Sequence, residues 1–182
     1  VLDWELAYIG DPLRDISFLC IPSWRFGQYD LEAGGFATLE QWLADYEKAS
    51  GASVPRENFD WWMVFNILWW GVTCLRLGST FRDGSVPTVE RTTIGRRVSE
   101  VEIDLLLALE VQRSGTSTLL TVPPVSLSPK LPTDEEVQYV EVVSALTQWN
   151  KKEVLAEASG HGVFASRVAN NALGIVDRAL QL

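Results

Sequence analysis

A chain of 182 residues with 47% hydrophobic content is long enough to bury a core and to form one domain or one and a half. Its net charge of −9 argues against generic nucleic-acid binding, which relies on basic patches, and it disfavours docking on an anionic membrane. The two cysteines, Cys20 and Cys74, make neither a disulfide framework nor a metal-ligand spacing, so they are expected as buried, reduced thiols of a cytoplasmic protein.

The chain opens on Val1-Leu2-Asp3-Trp4-Glu5 and continues through Gly10-Asp11-Pro12-Leu13-Arg14-Asp15. Val1 and Leu2 suit a short buried β segment, and Asp3 at its end would project a carboxylate where strand gives way to loop. Such a carboxylate, with Glu5 two residues on, can hold a hard divalent cation through oxygen; Mg²⁺ typically takes one or two carboxylates plus substrate phosphates. Gly10-Asp11-Pro12 is a turn signal, with Asp11 placed to cap a helix and Pro12 to begin it. Asp15 then falls in the first turn, where the helix dipole favours an acid whatever its function.

A short helix is predicted from Asp11 to about Leu19, followed by an irregular stretch from Pro22 to Gly35. Thr38 and Gln41 form a capping-box pattern, Leu39, Trp42, Leu43 and Tyr46 recur with helical period, and Gly51 is a natural stop. The next helix is expected from about Glu57 to Leu77, ending at Gly78. Its segment Trp61 to Leu75 runs 15 residues without a charge between Asp60 and Arg76. That falls short of the roughly 20 residues a bilayer requires, so a helix buried in a helical lobe fits better. A loop from Ser79 to about Thr88 leads to a third long helix, Val89 to Gln112, with Val98, Val101, Leu105, Leu106 and Leu109 on one face.

Residues 115–132 change composition to Ser, Thr and Pro, a linker signature. Thr133 and Glu136 give another capping box, opening a helix to about Ala158 that stops at Gly160. A last helix from about Val163 to Leu180 completes an antiparallel hairpin joined by Gly160-His161-Gly162. The fold class is thus mainly α, with domains at 1–114 and 133–182 around a linker at 115–132. The hairpin could pack on the first domain or pair with another copy in a homo-oligomer. His161 beside two glycines is a candidate for catalysis or metal binding, although a lone histidine in a turn is more often neither, and Arg167, Asn170 and Asn171 fit a polar groove and a solvated helix face equally well.

Asp3, Trp4, Glu5, Gly10, Asp11, Pro12 and Asp15 together resemble the metal-binding segment of the aminoglycoside phosphotransferase and choline kinase-like family, written I-D-W-E followed by G-D-P-x-x-D. The resemblance implies the helical C-lobe of a protein-kinase-like fold. It puts on Asp3 the role of the Asp that binds the Mg²⁺ bridging nucleotide phosphates, makes Glu5 a second metal contact, and makes Asp11 and Asp15 supports of the loop. It implies ATP and Mg²⁺ as cofactors of the intact protein and a small molecule bearing a hydroxyl group as acceptor. Trp61, Trp62, Trp69 and Trp70 are then candidates for the acceptor wall, with packing in the helix core as the alternative.

The Tyr46 to Gly51 and Gly71 to Arg76 stretches resemble the acyl-CoA-dehydrogenase-linked branch, which implies a hydroxyacyl-CoA-like acceptor. The segment from Phe164 to Val176 resembles the end of a small helical domain encoded near bacterial phosphotransferases of that branch, with no chemistry attached. The family's nucleotide lobe and its H-x-D-x-x-x-x-N catalytic loop would precede Val1. The chain is therefore expected to be the C-terminal part of a longer kinase, carrying no catalytic base and inactive alone. The alternative is a non-catalytic helical interaction or oligomerisation module derived from a kinase lobe.

Overall fold

The computed structural model describes residues 6–114 and 139–180. The β segment expected at Val1 and Leu2, the linker at 115–132 and the Thr133 capping box lie outside the described residues. Within them the chain is helical, and an isolated antiparallel bridge between Ala33 and Ala37 is the extent of β pairing. The mainly α reading holds at that level. Among the described residues no helix is long and apolar enough to cross a membrane.

The helices are α1 (Leu13–Phe18), α2 (Leu39–Ser50), α3 (Phe59–Arg82), α4 (Val89–Arg96), α5 (Val98–Ser114), α6 (Tyr139–Trp149), α7 (Leu155–Glu157) and α8 (His161–Leu180). Short 3₁₀ turns at Pro22–Trp24 and Arg56–Asn58 link the first three, and a π-helical turn at Asn150–Val154 joins α6 to α7. Two compact units are interleaved along the sequence. One takes residues up to Thr73 together with those from Val98, and the other takes Cys74–Arg97 with the C-terminal helices.

In the first unit Leu13, Ile16, Cys20, Ala33, Leu43, Val54 and Phe59 form the buried cluster, with Trp42, Tyr46, Trp62 and Met63 packed around it. Helix α2 starts where local chemistry directs. Thr38 Oγ1 accepts from the Gln41 amide at 3.3 Å, the Thr38 amide donates to Gln41 Oε1 at 3.1 Å, and Gly51 closes the helix at φ +69°. The cap satisfies amide donors that the helix cannot. Thr38→Ala is expected to cost about 1 kcal/mol, read from the urea midpoint. An unchanged midpoint would show that the box contributes nothing.

Helix α3 runs past its expected end. Gly78 does not stop it, because in the second unit that glycine is where the backbone of α4 crosses. A Cβ on Gly78 would lie 2.9 Å from the Gly95 Cα, and one on Gly95 would lie 2.7 Å from the Gly78 Cα. The expected helix from Val89 to Gln112 is two helices, broken at Arg97. Of its predicted apolar face, Val101 is buried and approaches Gly71 closely, whereas Leu106 and Leu109 are exposed. The hairpin helices α6 and α8 pack together, and α4 also packs on α8. Helix α8 begins at His161, two residues early, because the left-handed turn is confined to Gly160 at φ +53°.

Candidate functional site

Asp3 and Glu5 lie outside the described residues, so the described part of the motif is its second half, from Gly10 to Asp15. Asp11 Oδ1 accepts from the Leu13 amide at 2.9 Å, and the Ile16 amide donates to the Pro12 carbonyl at 3.1 Å. The aspartate side chain thereby satisfies a donor that the helix start leaves free. Asp11 and Asp15 are both solvent-exposed, with Asp15 in the first turn of α1.

Helix α1 has only six residues, too short to persist without tertiary support. Leu13 and Ile16 enter the core, and hydrogen bonds tie the backbone of α1 to α2 and α3. Trp42 Nε1 donates to the Ile16 carbonyl at 3.1 Å. Asn66 Nδ2, fully buried, donates to the Arg14 carbonyl at 2.7 Å and to Ser17 Oγ at 2.8 Å. Ser17 Oγ in turn donates to the Leu13 carbonyl. The Gly-Asp-Pro turn is thus mounted on a short helix bolted to two longer ones.

Arg14 projects from this helix into aromatic rings. Its guanidinium carbon lies 4.3 Å from the Tyr8 ring centroid, 5.3 Å from that of Phe65 and 5.4 Å from that of Trp69. Trp61 stacks on Phe65 with an interplanar angle of 12° and is about half exposed. A planar cation held against ring faces is well suited to this environment. The four α3 tryptophans divide accordingly. Trp70 is buried and packs on Trp24 and Phe18, Trp69 meets Phe18 edge to face, Trp62 joins the core, and Trp61 faces solvent. Sequence reasoning singled out the tryptophans but missed Arg14. Its position in the turn motif was visible, whereas two of its three ring partners, Phe65 and Trp69, come from a helix far along the chain.

Cys20 sits behind the turn, 1% exposed, with Sγ 3.5 Å from the Ile16 carbonyl. Burial pushes its thiol from 9.0 up to about 11; the Arg25 guanidinium pulls it down and Glu32 pushes it up, both less strongly. The folded state therefore favours the neutral thiol, and the unfolded chain ionises first as pH rises. This contribution to stability is intact below about pH 9 and is lost as pH climbs toward about 11. Urea midpoints across that interval should fall more steeply for the native chain than for Cys20→Ala. Equal slopes would refute the assignment.

Cys74 is also buried, and His161 lies exposed at the start of α8 with its ring 5.7 Å from Phe164. Among the described residues no three His, Cys, Asp or Glu side chains come together as a metal-binding group. Compared with protein families, characterised proteins and solved structures, the chain matches none.

Proposed function

We propose that this chain carries the metal-binding segment and acceptor-side helices of an ATP- and Mg²⁺-dependent small-molecule kinase, aminoglycoside phosphotransferase-like, which transfers a phosphoryl group to an acceptor hydroxyl. The observation that carries this reading is the opening motif, in which Asp3, Trp4, Glu5, Gly10, Asp11, Pro12 and Asp15 keep the family's spacing. Carboxylate oxygens are the donor set that Mg²⁺ takes. Asp3 would hold the ion, with Glu5 as the second contact. Bound there, Mg²⁺ neutralises charge on the nucleotide phosphates.

The remaining residues act by holding that segment in place. Phosphoryl transfer depends almost entirely on positioning and electrostatics, so a metal-bearing loop needs a rigid mount. The Asp11 hydrogen bond to Leu13, the Asn66 bonds to Arg14 and Ser17, and the Trp42 bond to Ile16 supply one for the turn. Trp61, exposed beside the Arg14 cluster, and Tyr8 within that cluster are aromatic groups available to an acceptor.

The test expresses the chain together with any coding sequence preceding Val1 and follows phosphate transfer from ATP labelled at its γ position. The acceptor panel spans aminoglycosides and hydroxyacyl-CoA thioesters. Magnesium-dependent labelling of one acceptor class supports the reading. No labelling of any hydroxyl acceptor, in folded protein that has its upstream residues, would overturn it.

A further inference from the structure

We propose that Arg14 and the aromatic ridge of α3 bind an anion of the carboxylate or phosphate class that carries a flat apolar ring, and that this is where the acceptor docks. The assignment to the acceptor rests on the kinase reading; the site itself does not. Trp61, Phe65 and Trp69 follow one another at four-residue spacing, so they stand along one face of α3. Arg14 lies across that ridge, its guanidinium carbon 5.3 Å from the Phe65 ring centroid and 5.4 Å from that of Trp69. Tyr8 lies against it at 4.3 Å. The cation thus engages two of the three rings of the ridge. The third, Trp61, continues the ridge one turn on, stacked on Phe65 and about half exposed.

A guanidinium carries five N–H donors in a fixed planar fork. Contacts with ring faces use its charge and leave those donors for an anion. Among the described residues no hydrogen bond or ion pair ends on the Arg14 guanidinium, although the side chain is half-buried. The carboxylates nearest in sequence do not take it. Asp11 Oδ1 is turned back to the Leu13 amide at 2.9 Å, and Asp15, exposed, stands about 100° further round α1. A fork held by rings on three sides is oriented before any ligand arrives, and its geometry matches the paired oxygens of a carboxylate or phosphate.

The same cation decides what Trp61 can take. An exposed indole face by itself attracts cations, but one bound there would meet the positive charge of Arg14 one to two helical turns away. A ring on Trp61 with its anion on Arg14 satisfies both groups at once, at a spacing of roughly 5–10 Å. The acceptor class that fits is therefore anionic with a flat apolar portion, and a polycationic aminoglycoside is disfavoured.

Calorimetric titration of the full chain with phenylbutyrate and with phenylpropyl phosphate tests the site, the two probes distinguishing a carboxylate ligand from a phosphate one. Binding of at least one probe is expected, and neutral phenylbutyramide should bind about tenfold more weakly or worse. Arg14→Gln should weaken the anion by a similar factor. Trp61→Ala, at an exposed position where folding is not at stake, should weaken it several-fold, which keeps the test decisive should the arginine variant unfold. No binding of either anion, or undiminished binding by folded Arg14→Gln or by Trp61→Ala, would overturn the site. The titration contains no ATP, so its failure counts against this site and not against phosphoryl transfer. In the transfer assay, labelling confined to aminoglycosides would overturn the assignment to the acceptor.

Discussion

Asp3→Asn is expected to lower magnesium-dependent phosphoryl transfer by about a thousandfold in the protein expressed with any upstream coding sequence. The amide keeps the shape of the carboxylate and removes its charge, so the loss reports the electrostatic hold on Mg²⁺ rather than packing. Metal ions contribute several kcal/mol of transition-state stabilisation, and each factor of ten corresponds to about 1.36 kcal/mol. Glu5→Gln, at the auxiliary contact, is expected to lose less. Asp15→Asn should leave turnover within a few-fold, because Asp15 is exposed in the first turn of α1 and its expected contribution is the helix-dipole term of about 0.3–1 kcal/mol in stability. Steady-state kinetics of the three variants separates these roles. Full activity in Asp3→Asn would remove it from the metal site.

The largest effect on folding is expected at the crossing of α3 and α4. Gly78→Leu should cost about 3 kcal/mol, the upper part of the range for overpacking, because the intruding atoms would meet backbone rather than a flexible side chain. Glycine inside a helix costs about 1 kcal/mol relative to alanine, and this chain keeps glycine at both crossing positions, Gly78 and Gly95. Close approach of the two backbones offsets that cost. Thermal unfolding should shift down by roughly 6–12 °C for Gly78→Leu. Val72→Ala, on the exposed side of the same helix, should shift little. Leucine at both positions should cost less than the two single effects together, since the first insertion already separates the helices. An unshifted midpoint for Gly78→Leu would show that the crossing is not tight in solution.

Local chemistry proved readable and non-local packing did not. Thr38, Gln41 and Gly51 bound α2 where their spacing says, because a cap depends on residues three or four apart. Asp11 was likewise marked by the proline beside it. Gly78 looked like a helix stop because nothing nearby reveals that Gly95 will cross it. The break at Arg97 comes two residues after Gly95, and it falls where the chain passes from one compact unit to the other. The charge-free run from Trp61 to Leu75 was read as a buried helix. Ile67, Trp70 and Cys74 are indeed buried, while Trp61, Leu68, Val72 and Leu75 are exposed, a division that the all-apolar pattern could not express.

The candidate site shows the same limit. The carboxylates stood out because their offsets are fixed within the first fifteen residues. Arg14 sits among them unmarked, since Phe65 and Trp69 come from α3. Asn66 interrupts an apolar run and resembles a flaw in it, yet its amide bonds the Arg14 carbonyl and Ser17. A buried polar side chain in such a run signals a specific partner, though not which one.

Titration of Mn²⁺ into the protein expressed with any upstream coding sequence, in the presence of ATP and followed by electron paramagnetic resonance, tests the magnesium assignment most directly. Bound Mn²⁺ that depends on ATP is expected for the native protein and for Asp15→Asn, and its loss is expected for Asp3→Asn. Equal binding by all three proteins, or no ATP-dependent binding in the native one, would contradict the placement of the metal on Asp3.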